Sequence, residues 1–231
     1  MQTDKVSKNS QIATAGNKAE DIFCSSVVVN RSLSQYFGKP ISTVKKVAAR
    51  KKSDCLIVFE DQSQVLVQLK SGPGGGRGHS FDRRSADELP TNSDVITLIK
   101  AVSLNSGEDR KETPNDKEII KSLFLGKDKT WEPQYFVHMI IKDTKVVSLY
   151  ICPASLYIET LLNQAYELCQ PKKTCVHLSP LIYLQRKGSS NKDKRADDIQ
   201  AKIKCMPDCM TKLNFSKIKI EIKRRVPPAP L

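Results

Sequence analysis

A chain of 231 residues can bury a core of its own, and it fits one domain or one domain with an elaboration. With 39% hydrophobic and 27% charged residues, no apolar run near the roughly 18 residues of a membrane span, and a polar start at Met1-Gln2-Thr3-Asp4-Lys5, it is expected neither in a membrane nor secreted. The net charge of +13 predicts a polyanionic partner: nucleic acid, an anionic membrane surface or an acidic protein.

The basic residues are not confined to a tail. They recur at Lys45, Lys46, Arg50, Lys51 and Lys52, at Arg83 and Arg84, from Arg186 to Arg195, and from Lys217 to Arg225. That spread suits a folded surface following a phosphate backbone. The plainer alternative is a solvated basic surface or a general binder. The seven cysteines are an odd count without a disulfide framework, which predicts reduced thiols and a cytoplasmic location. Cys205 and Cys209, with Cys169, Cys175 and His177, lack the paired interval of a zinc site.

In chain order, residues 1–14 are expected to be loose, and a single domain is expected over 15–225. The first half of Ala15–Phe37 reads as a helix carrying Glu20, weakened by the β-branched run Val27-Val28-Val29, with Pro40 as its end. Lys45 to Lys52 reads as a basic stretch. Ser53–Phe59 and Gln64–Lys70, split by the polar turn Glu60–Ser63, read as a hairpin. Ser71–Gly78 reads as a flexible loop from which Arg77, His79, Arg83 and Arg84 are expected to reach DNA; no Gly-Lys-Ser/Thr follows, so it is not a P-loop. Ser93–Leu104 and Asp116–Leu125 read as helices, Phe136–Ile141 and Val146–Ile151 as strands, and Ser155–Leu168 as a helix. Strands are expected at Thr174–Leu178, Leu181–Lys187, Ile199–Ile203 and Lys217–Ile222, before a loose tail over 226–231. No internal repeat is found.

The hairpin carries the chemistry. Its ends bring Asp54 beside Gln68 and Lys70, and strand alternation puts Gln68 and Lys70 on one face, with Leu69 on the other. A carboxylate, an amide oxygen and an ammonium on one spot can hold a divalent cation and a water beside a phosphodiester. Many hairpins also carry an Asp and a Lys at their ends for no such reason. In the last third, Leu184-Gln185-Arg186-Lys187-Gly188 and Ile199-Gln200-Ala201-Lys202-Ile203 flank a basic turn. Arg and Lys read guanine, Gln reads adenine, and a two-stranded ribbon fits the major groove. The alternative is an exposed polar hairpin on a basic protein.

These motifs resemble the PD-(D/E)XK nuclease superfamily, in the variant where Gln replaces the second acid. Gln185-Arg186-Lys187-Gly188, a polar turn, then Gln200-Ala201-Lys202-Ile203 resembles the Gln-Arg-Lys-Gly … Gln-Phe-Lys-Ile signature of small type II restriction endonucleases with four-base-pair sites. Glu20, Ser53-Asp54, Gln68-Leu69-Lys70 and the basic loop Arg77–Asp82 stand in the same order. The likeness runs from Gly16 to Ile203, more loosely over Lys121–Leu162. It departs at the turn, Gly188-Ser189-Ser190-Asn191 against a usual Gly-Gly-Asp, and beyond Cys205.

The resemblance implies an α/β (α+β) restriction-endonuclease-like core, a central mixed β-sheet flanked by helices. It implies a Mg2+-dependent, sequence-specific double-stranded DNA endonuclease with a short palindromic site and 5′-phosphate ends. Asp54, Gln68 and the Leu69 backbone carbonyl are its candidate metal ligands. Lys70 would stand by the attacking water, and Glu20 would complete the acidic side. Gln185, Arg186, Lys187, Gln200 and Lys202 would read DNA, with Arg77 and Arg83 gripping it. A protective DNA methyltransferase would be a functional partner, and the enzyme would be a monomer or homodimer. The rival readings are a structure-specific repair or junction nuclease of the same superfamily, a non-catalytic basic DNA-binding protein, and a membrane-surface or partner-binding protein. The last lacks an amphipathic basic helix with bulky apolar anchors.

Overall fold

The computed structural model describes residues 8–48, 51–72, 79–90, 116–143, 145–163, 175–179, 181–186 and 198–213. Helices α1 (Lys8–Ser25) and α2 (Val27–Phe37) precede strands β1 (Ile41–Lys46), β2 (Cys55–Phe59), β3 (Gln64–Gly72) and β4 (Ser80–Ser85). Helix α3 (Asp116–Leu125), strands β5 (Tyr135–Lys142) and β6 (Lys145–Pro153), and helix α4 (Ala154–Leu162) follow. Strands β7 (Cys175–His177), β8 (Ile182–Arg186), β9 (Asp198–Ile203) and β10 (Thr211–Leu213) complete the described chain.

Two sheets form. The larger has the order β1-β2-β3-β5-β6-β10, and the smaller β4-β9-β8-β7. In the larger sheet β3 runs parallel to β5 and every other pair is antiparallel. The fold class is the expected one, mixed α/β with a central mixed sheet flanked by helices. Alternation sorts the core. Cys55, Ile57, Val67, Leu69, Val137, Met139, Leu149 and Ile151 meet Phe23, Val29 and Leu33 of α1 and α2 on one face. Phe136 and Cys152 point the other way, to Ile120, Phe124, Tyr157 and the inner face of the smaller sheet, including Leu184, Ile199 and Ala201.

The N-terminal region departs from expectation. The Val27–Val29 run is helical, because Ser26 caps it by accepting a hydrogen bond from the Val29 amide at 3.3 Å, and Val29 is fully buried. Capping and burial outweigh the β-branched penalty, about half a kcal/mol per residue. The stop is Gly38 at φ 64°, ahead of Pro40. Three strands stand where none was expected. β1 falls across the start of the basic stretch, β4 in the region read as a loop, and β10 after Cys205. The expected elements over 93–104 and 217–222 lie outside the described residues, as does the end of the helix expected to reach Leu168.

Candidate active site

Asp54 stands one residue beyond the last β2–β3 pair, Cys55 opposite Val67. Its amide donates to the Val67 carbonyl at 2.9 Å, which fixes the backbone where the strand ends. Its Oδ2 accepts the Leu69 amide at 2.8 Å and the Gln68 side-chain nitrogen. Alternation puts the Leu69 carbonyl on the same strand edge as that amide, past the end of β2. Neither Asp54 Oδ1 nor Gln68 Oε1 takes a hydrogen bond from a described residue, and neither is a sealed-in orphan. The hairpin thus leaves acceptor oxygens unspent at one spot.

Lys70 lies on the same face as Gln68, paired in register with His138 of β5. Its Nζ sits 5.1 Å from the centroid of the Phe81 ring, whose neighbours are Phe124, Phe136, His138 and Tyr157. Burial pushes the Lys70 amine below the ordinary lysine range, opposed by the charges of Asp54, Asp82 and Glu20. Burial likewise raises the Asp54 carboxyl, against the pull of Lys70 and the Leu69 amide.

Glu20 arrives from α1 on the opposite side of the sheet, around the end where β2 stops. Its carboxyl is raised by burial and then by the charge of Asp54. Lys46 stands 3.8 Å away but pairs more closely with Asp21, at 2.7 Å. Glu20, Asp54, Leu69, Lys70, Ser71, His79 and Ser80 all line one open cavity of about 620 Å³. Among the described residues no three or more His, Cys, Asp or Glu side chains are grouped to hold a metal. The candidate donors are therefore two carboxylates, one amide and one backbone carbonyl. All are oxygen, and that set fits a hard cation that keeps part of its water shell.

A second lysine belongs here. Lys52, only 11% exposed, donates to the Leu123 carbonyl at the end of α3 and lies 4.0 Å from Asp82. Burial pushes its amine down to about 8, partly offset by Asp82. The basic stretch concealed it, and it stands in the bend before β2, where strand alternation does not reach. Arg84 does not reach outward as expected. It grips Asp82, the Ser122 hydroxyl at 2.8 Å and the Ser122 carbonyl at 3.0 Å.

The candidate reading residues gather on the smaller sheet. Arg83, Gln200 and Gln185 stand in one row across β4, β9 and β8. Ser80, Lys202 and Tyr183 form the next. Ser80 also lines the cavity, so this row abuts the hairpin site. The rows lie on the face away from Leu184, Ile199 and Ala201. Arg83 donates to Asp198 at 3.3 Å. In register Arg186 pairs with Ile199, so it falls in a row of the opposite face and is not brought together with Gln185 and Gln200. Lys187 and Arg77 lie outside the described residues.

Among the described residues no helix is long and apolar enough to cross a membrane. No protein-family model matches the chain, and no curated protein does. Among solved structures, the chain is similar to the restriction endonuclease MspI in complex with its cognate DNA, at 12% identity and a TM-score of 0.47, over 86% of this chain and 94% of that one.

Proposed function

We propose that the protein is a Mg2+-dependent endonuclease that cuts duplex DNA at a short sequence. The observation that carries this reading is the convergence of Asp54, Gln68 and Lys70 on one sheet face, where Asp54 and Lys70 line a cavity together with Glu20. Asp54, through its unspent Oδ1, the Gln68 side-chain oxygen and the Leu69 carbonyl would hold the cation, with Glu20 completing the acidic side. When bound, Mg2+ supplies charge to the phosphoryl oxygens and acidity to a water. Lys70 orients the attacking water and offsets charge building on the scissile phosphate. Its position over an aromatic ring, among packed side chains, keeps the amine from wandering. Gln185, Gln200 and Lys202, with Lys187, supply the amide and cationic groups that discriminate base edges. Arg83 and Arg77 hold backbone phosphates.

Digestion of unmethylated phage DNA, with and without Mg2+, tests the reading beside an Asp54→Ala control. Discrete bands that require both magnesium and Asp54 are expected. A smear would replace sequence choice by general or structure-directed cutting, and intact DNA under all conditions would remove catalysis.

A further inference from the structure

His79 belongs to neither the hairpin nor the reading rows, yet it touches both. Its carbonyl accepts the Ile203 amide at 3.0 Å, tying it to β9. The next residue, Ser80, pairs with Lys202. Its ring meets His138 edge to face, with centroids 4.6 Å apart and planes at 89°. His138 in turn pairs with Lys70 across β5 and β3. The His79 ring also overlies the end of β3: a Cβ on Gly72 would stand 3.6 Å from His79 Cε1.

The ring therefore has packing on its sides and, among the described residues, no partner for its nitrogens. It forms no hydrogen bond with a described residue, and its nitrogens are not sealed away from the cavity it lines with Glu20, Asp54 and Lys70. The contrast is His138, which is 2% exposed, keeps its Nε2 3.2 Å from the Tyr157 hydroxyl and buries an unpartnered Nδ1. Burial and the Lys70 charge hold the His79 imidazole at about 4, so at neutral pH it carries one N–H and one lone pair. A neutral ring beside Lys70 offers a donor without adding a second cation.

We propose that His79 is a further residue of this site: its ring N–H donates to a non-bridging oxygen of a DNA phosphate in the cavity, while its backbone fixes that donor to the reading strand β9. The inference rests on reading the cavity as the DNA-cutting site. It makes the same residue answer to both sheets, so that DNA seated on the smaller sheet presents its phosphate to Lys70 in a fixed register.

The test uses the full chain and two readouts. With three histidines in the chain, the imidazole signals in a proton–nitrogen spectrum are assigned by His79→Phe and His138→Phe together. A short duplex oligonucleotide is added without metal. The His79 ring N–H is expected to sharpen and move downfield, while His138 stays in place. Cleavage of phage DNA with Mg2+ is then compared for the wild type, His79→Phe and His79→Asn. Phe keeps a ring to pack and loses the donor; Asn restores one. Loss of one such donor costs on the order of 100-fold in rate. His79→Phe should fall by about that order at an unchanged melting temperature, and His79→Asn should recover at least part of it. An unmoved ring signal overturns the proposal, as does His79→Phe cutting as fast as wild type. A ring signal that moves in a protein that never cuts DNA removes the nuclease reading and leaves the phosphate contact standing.

Discussion

Asp54 spends one carboxylate oxygen on its own hairpin and keeps the other. That division is what the residue types allow. A Leu69 amide and a Gln68 amide nitrogen can only donate to it, so the carboxylate is fixed before any ligand arrives. The buried imidazoles behind it carry a cost that a pH series exposes. His138 is held well below the ordinary histidine range by burial, then by His79 and Lys70. Below pH about 6.5 the unfolded chain takes up a proton that folded His138 refuses, so stability is full above that value and falls as pH drops. Asp54 and Glu20, raised in the fold, work in the opposite sense, and both are retained in a His138→Phe variant. Urea unfolding should therefore find that wild type loses about 2 kcal/mol more than His138→Phe between pH 7 and 5. Equal losses would show that His138 takes its proton in the folded state.

At the scale of elements, α3 ends on borrowed groups. No basic residue stands in its own last turn. The Ser122 carbonyl accepts Arg84 and the Gly126 amide, and the Leu123 carbonyl accepts Lys52. Gly126 sits at φ 88°, and a Cβ there would come within 3.0 Å of Lys52 Cβ. Gly126→Ala should thus cost about 1–3 kcal/mol, roughly 2–10 °C of melting temperature, and disturb the Lys52–Asp82 contact beside the site. A variant melting with wild type would mean that the Lys52 stem yields freely.

The hairpin was legible because its apolar alternation and polar turn are local signals. Asp54, Gln68 and Lys70 meet through a turn of a few residues, and the expected strands differ from β2 and β3 by two residues at an end. β4 was not legible. Ser80-Phe81-Asp82-Arg83-Arg84-Ser85 has no apolar alternation, and its partner β9 begins more than a hundred residues later. The β1 strand was hidden by its lysines, with Val44 its only buried side chain. Lys52 and His138 were passed over for related reasons. One sat in a charge run and the other in an apolar run, where its neighbours masked it.

Across the whole molecule, the charge of +13 and the polar face of the smaller sheet make a quantitative demand on DNA binding. If the surface neutralises about six to ten phosphates, affinity should fall about 10³–10⁵-fold between 50 and 200 mM salt. Fluorescence anisotropy with the Asp54→Ala protein and a labelled duplex measures this without cutting. An affinity indifferent to salt would set the basic surface aside as mere solubility.

The order of the strands also dates the site. β4 has β9 as its neighbour, so the wall of the cavity that His79 and Ser80 provide has no partner strand until residues 198–203 exist. The hairpin with Asp54, Gln68 and Lys70 leaves the ribosome long before that. A polypeptide halted between the two holds every acid and the lysine of the site with one side of the cavity unmade. On the nuclease reading proposed above, such a halted chain would carry the acids and the lysine without the β4–β9 wall that completes their cavity.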